Sequence, residues 1–219
     1  GSTQIATGAT PSVTLSVGVH TITLTVTDNG GLTASDNVVV TVTAAGSTPT
    51  TISKRVATGT DDAEERQSSG YMYLNSSDLE LVYDNSTSGN QHVGMRFTGM
   101  TIPRGATITN AYIQFTCDEM NSGTTTLTIK GQAADNPAGF TSTAYNITSR
   151  AKTSASVGWS PAAWSTVGQA GTGQRTPDIK AIVQEIVNRS AWTSGNAMVI
   201  FIDGTGERTA EAYEGSKSQ

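Results

Sequence analysis

Cysteine is almost missing from this chain: Cys117 is the only one in 219 residues. No intrachain disulfide can form. Histidine is nearly as scarce, with only His20 and His92, far apart. A zinc site needs three or four nitrogen or sulfur ligands, and these three residues do not make one. Charged residues are 14% and aromatics 6% of the chain, and the formal net charge is −5. The basic footprint that nucleic-acid binding requires is therefore lacking, and no nucleic-acid partner is expected. No apolar run approaches the length needed to cross a bilayer, so membrane insertion is not expected. No serine elbow accompanies a Ser-His-Asp set. The glycines form no strand–loop–helix phosphate cradle. Nothing places two acids across a cleft as a glycosidase would need. These absences point away from an enzyme.

Glycine, serine and threonine are abundant. This is the composition of an extracellular all-β protein rich in turns, not of a disordered chain. The length allows one large or two small domains. The chain opens on GSTQIATG, without a leader, and reads as a mature protein or a fragment of one.

The clearest pattern is Val93–Lys130, which predicts three short strands joined by tight turns. One face would collect Val93, Met95 and Phe97, then Ala111, Ile113, Phe115 and Cys117, then Leu127 and Ile129. A period of two marks half-buried strands. Ile102-Pro103-Arg104-Gly105 fits a β-turn with proline at its second position. Cys117 reads as a small buried hydrophobe rather than a reactive thiol.

Residues 1–45 predict strands at Ser12–Val17, His20–Thr27 and Asn37–Thr43, with a glycine-rich turn at 27–31. The run GVHTITLTVTDNGGLTASDNVVVTV carries His20, Ile22, Leu24, Val26, Asp28 and Gly31. It resembles the C-terminal half of a PKD-type (polycystic-kidney-disease-type) domain, an immunoglobulin-like sandwich. That resemblance implies a partial sandwich whose first half lies outside this sequence. Three strands are marginal alone, so packing on another domain, another chain or a lost N-terminal portion is expected.

Residues 46–52 read as a linker. From 53 to 219, strands are expected at Lys54–Ala57, Tyr71–Leu74 and Leu79–Tyr83, and 59–70 reads as a polar loop. One amphipathic helix is predicted over 177–189, with Thr176 as N-cap and Pro177 and Asp178 in its first turn. It is expected across one open end of the sandwich. The apolar run Asn196–Ile202 predicts a central strand covered on both faces. The runs VGMRFTGMTIPRGATITNAYIQF, TSASVGWSPAAWSTVG, QRTPDIKAIVQEIV and GERTAEAYEG resemble DNRLRE-type and carbohydrate-binding-module-like jelly-roll domains of large secreted bacterial surface proteins. That resemblance implies a closing strand after AYEG, which this sequence lacks. The expected fold is all-β: two β-sandwiches, a partial immunoglobulin-like one and then a jelly roll, with one short helix.

Two sets of residues are candidates for binding. Asp61, Asp62, Glu64 and Glu65 crowd one stretch and are candidate calcium ligands. Asp78, Asp84, Asp118, Glu119, Glu207 or Glu211 would complete the site after folding. The alternative is a solvated acidic loop with Arg66 or Arg208 as partners. Trp159, Trp164, Tyr71 and Tyr73 are candidate glycan platforms, against the alternative of core packing.

Two functional readings follow. The first is a non-catalytic, extracellular or cell-surface module, structural or adhesive, within a larger protein. Its partners would be other copies or other domains of the same protein, and its strands would be completed by a neighbour, as in a fibre. The second is a carbohydrate-binding module that docks an attached enzyme onto polysaccharide.

Overall fold

The structure is a computed structural model that describes residues 3–42, 48–85 and 89–215. The chain divides into two compact units, Gly1–Thr51 and Ile52–Gln219. The fold is all-β and antiparallel, with one α-helix and one turn of 3₁₀ helix among the described residues.

The smaller unit is a hairpin of β1 (Gly18–Thr27) and β2 (Thr33–Val42), paired from Gly18 opposite Val42 to Thr27 opposite Thr33. Threonine and valine fill both strands, as extended backbone favours. Asp28 closes the turn: its side chain accepts the backbone N–H of Gly30 and of Leu32, each at 2.8 Å. Ser12–Val17, expected as a third strand, forms no ladder with any described residue.

The larger unit is a sandwich. Its main sheet runs β4 (Met72–Tyr73), β3 (Asp62–Arg66), β7 (Gly89–Phe97), β10 (Met198–Thr205), β8 (Thr126–Gln132) and β9 (Lys152–Trp159), with β6 (Tyr83–Asp84) also paired to β7. β10 is central, and alternate residues face opposite ways. Met198, Ile200 and Ile202 join the main core, while Val199 and Phe201 join a second cluster with Ala63, Met72, Phe140 and Ile147. The strand expected over Asn196–Ile202 is thus covered on both faces, as its unbroken apolar run predicts.

The second layer pairs β5 (Asp78–Glu80) with β11 (Thr209–Glu211). Residues 111–117, expected as a strand, join their neighbours among the described residues through single bridges, Gln114 to Arg175 and Cys117 to Ala210. Their partners on one side lie in the irregular stretch 168–179, which offers single backbone bonds such as Phe115 N–H to the Gln174 carbonyl at 2.9 Å. Phe115 and Cys117 still face the core, beside Leu127, Ile129, Val93 and Met95.

Two expectations fail around residue 60. Lys54–Ala57 is not a strand, and part of the expected polar loop is the strand β3. The helix is shorter than expected: α1 spans Lys180–Val187. Thr176 and Asp178 do not begin it. They accept backbone N–H groups of the extended stretch instead, Ile113 to the Thr176 hydroxyl and Ala111 to the Asp178 carboxylate, both at 3.0 Å. Asp178 also accepts the Lys180 N–H at 2.9 Å, so its place near the positive helix end is kept. The buried stripe Ile182, Val183, Ile186 and Val187 packs on β8 and β9. Gly131 permits this, because a Cβ there would lie 2.7 Å from Ile186 Cδ1 and 2.8 Å from Ile182 Cγ2. The expectation about a closing strand after AYEG falls on residues 216–219, which lie outside the described residues.

Candidate functional site

β3 ends at Arg66, and a tight turn returns the chain to β4. Gly70 N–H donates to the Arg66 carbonyl at 2.8 Å, and Arg66 N–H to the Tyr71 carbonyl at 2.9 Å. Gly70 has φ +70°, a left-handed value that suits glycine. It also leaves room for a neighbour: a Cβ there would sit 2.5 Å from the Tyr145 ring. Tyr145 itself has φ +61° and donates its N–H to the Gly70 carbonyl at 2.9 Å. A left-handed tyrosine is uncommon outside strained or functional segments.

Tyr71 and Tyr73 flank Met72, which is buried, so the two rings fall on one side of the strand. Their centroids are 4.8 Å apart at 65°, an edge-to-face pair. Tyr71 is 59% exposed. Arg66 donates through Nη2 to the Tyr73 hydroxyl at 2.6 Å, and its guanidinium lies 5.8 Å from the Tyr73 ring centre. Beside them is an open groove of about 440 Å³, lined by Arg66, Ser69, Tyr71, Tyr73, Ser142 and Ala144. Aromatic rings, hydroxyls and a guanidinium at an open groove suit a ligand with both apolar C–H faces and polar edges. No acid is among those lining residues.

The other two aromatic candidates sit elsewhere. Trp159 and Trp164 are 7% and 1% exposed and pack with Phe115, whose ring lies 5.8 Å from Trp159 in a stacked arrangement. Trp164 donates its indole N–H to the Gly173 carbonyl at 3.0 Å. Neither indole offers solvent a free face, so neither is a sugar platform. The apolar rings fill the space between the layers that smaller side chains would leave empty.

The acidic stretch is not a solvated loop. Asp61, Asp62, Glu64 and Glu65 are all buried, and β3 sends neighbours to opposite faces. Asp61 pairs with Arg96 at 2.7 Å. Asp62 accepts the Tyr213 N–H at 2.8 Å. Glu64 accepts the Glu80 N–H at 2.7 Å. Glu65, on the other face, accepts the N–H groups of Ile147 and Thr148 at 2.6 and 2.9 Å, and the Thr148 hydroxyl. Each carboxylate has its own partner, so the four do not converge on one cation. Arg208 makes no ion pair with them among the described residues. Arg208, 2% exposed, donates instead to the Pro161 and Ala162 carbonyls at 3.0 Å each.

Burial leaves its mark on these acids. Asp62 is pushed up from 3.8 to about 6, chiefly by desolvation, with the Tyr213 N–H opposing and Glu214 adding. Glu64 is pushed up to about 11 by burial and by its hydrogen bond and proximity to Glu80. Glu80 is also raised, mainly by burial, although its bond with Glu64 acts the other way. Both carboxyls of the pair are thus raised above the ordinary carboxylate range, chiefly by burial. Elsewhere the fold does bring acids together: Asp78, Asp118 and Glu119 place carboxylate oxygens within 4.8 Å of one another. The β5–β11 pairing that assembles them joins residues more than a hundred positions apart, so no local sequence signal marks the group.

The chain matches no known protein-family signature and no curated protein.

Proposed function

We propose that the chain is a non-catalytic, adhesive module of a larger extracellular protein, and that it docks on polysaccharide through the groove of Tyr71, Tyr73 and Arg66. The observation that carries this reading is the pair of tyrosines held on one side of the β3–β4 turn beside an open groove. Such a surface can lay a sugar ring against an aromatic face while Arg66, Ser69 and Ser142 meet its hydroxyls. Lack of catalysis fits the acids of β3, which are buried and individually bonded rather than set across a cleft. The resemblance of residues 53–219 to carbohydrate-binding-module-like jelly rolls agrees with it.

Affinity electrophoresis against a panel of neutral and uronic-acid polysaccharides tests the reading. The wild-type chain is expected to be retarded by at least one of them. Tyr71→Ala with Tyr73→Ala is expected to abolish the retardation with melting unchanged. Equal retardation of wild type and variant would overturn it.

A second reading rests on the hairpin of residues 18–42. β1 and β2 pair only with each other among the described residues, and Val19, Leu24, Val26, Val38 and Val39 are exposed. Free strand edges with apolar side chains invite a further strand. The resemblance to a PKD-type domain implies that such strands belong there. This favours a structural module completed by other domains or other copies of the same protein. Light scattering separates the two: a monomer that binds polysaccharide supports the first, and concentration-dependent association without binding supports the second.

A further inference from the structure

The pairing of β5 with β11 sets Glu211 opposite Asp78 and Thr209 opposite Glu80. Leu79 and Ala210 belong to the hydrophobic core. Strand alternation therefore puts Asp78, Glu80, Thr209 and Glu211 together on the other side. On the far edge of β11, Cys117 bridges to Ala210 and is also in the core, so Asp118 falls on the acidic side as well. Asp118 and Glu119 are held there by their backbone, since both N–H groups donate to the Thr209 carbonyl, at 2.9 and 3.4 Å.

The result is a cluster. Carboxylate oxygens of Asp78, Asp118 and Glu119 lie within 4.8 Å of one another, and Glu211 stands opposite Asp78 in the β5–β11 pair. None of the ion pairs among the described residues involves these four. Three carboxylates this close, with Glu211 beside them, repel as anions unless a cation lies between them. A second observation points the same way. Thr209 is 1% exposed, yet its hydroxyl finds no hydrogen-bond partner among the described residues. It stands on the same side of β11, two residues before Glu211. A buried hydroxyl without a partner is costly, and it is the kind of group that an ion or its bound water satisfies.

We infer that Asp78, Asp118, Glu119 and Glu211 bind a calcium ion, with the Thr209 hydroxyl turned toward it or toward a water that it holds. The ligands are all oxygen, which suits a hard cation better than zinc, whose sites favour nitrogen and sulfur. They come from three separate stretches, two strands and a turn, and such adaptable geometry suits calcium better than the strict octahedron of magnesium. The ion clips β5, β11 and residues 117–119 together. None of these ligands is among the residues that line the tyrosine groove.

The test uses the full chain, stripped with a chelator and then given calcium chloride alone. Calorimetry is expected to report one site per chain. Free calcium about 100-fold above Kd is expected to raise the melting temperature by about 5–10 °C. Asp118→Asn with Glu119→Gln removes the response. Without calcium that variant melts at or above the wild type, because repulsion is relieved, so calcium reverses the order of the two. Glu211→Gln alone weakens binding and serves if the double variant does not fold. Glu207→Gln, outside the ligand set, responds like the wild type. No calcium-dependent shift in the wild type, or an equal shift in the double variant, would overturn the site.

Discussion

Replacing Asp62 by asparagine gives a stability change whose sign and pH range follow from the structure. Asp62 is 5% exposed, on β3, and accepts the Tyr213 N–H. In the folded chain its carboxyl titrates at about 6 instead of 3.8, because burial disfavours the charge. Below pH 4 both folded and unfolded chains hold the proton, and the carboxyl contributes no pH dependence. Between pH 4 and 6 the folded chain holds the proton and the unfolded chain releases it, so stability falls as pH rises. Above pH 6 the loss is complete, and a shift from 3.8 to about 6 corresponds to at most roughly 3 kcal/mol. Asparagine keeps an oxygen for the Tyr213 N–H and never ionises. Asp62→Asn is therefore expected to be neutral at pH 4 and to gain up to roughly 3 kcal/mol at pH 7.5. Urea unfolding at several pH values measures it, followed by tryptophan fluorescence, since Trp159, Trp164 and Trp192 all belong to the larger unit. A variant that is destabilised equally at pH 4 and 7.5 would refute the reasoning.

Other outcomes follow from packing. Gly131→Ala is expected to lose about 1–3 kcal/mol by driving a methyl into Ile182 and Ile186. Adding Ile186→Val, which removes the Cδ1 it strikes, is expected to restore part of that loss in the same urea assay. Trp164→Ala is expected to lose about 3–5 kcal/mol, a core effect rather than a ligand effect.

The strands that alternate cleanly were legible, because burial on one face imposes a period of two. β7, β8 and β10 all carry that mark, β10 through its continuous run. β3 was not legible. Asp62, Glu64 and Glu65 read as solvent-facing, yet each is buried against N–H groups of residues 80, 147, 148 or 213, far away in sequence. Local pattern carries no trace of such partners. The helix start was misplaced for a similar reason: Thr176 and Asp178 have the chemistry of a cap, but tertiary contacts with residues 111 and 113 claim them first. Of the aromatic candidates, the tyrosines two residues apart were readable as a pair on one side of a strand. Trp159 faces the core in step with Ala155 and Val157 along β9, whereas the burial of Trp164 beside Phe115 depends on a loop path that periodicity does not describe.

The most direct test of the groove is a crystal structure with a bound oligosaccharide, chosen from whichever polysaccharide retards the chain. The account predicts a sugar ring in van der Waals contact with Tyr71 or Tyr73 and hydrogen-bonded by Arg66, Ser69 or Ser142. A sugar seated elsewhere, with the tyrosine surface bare, would contradict it.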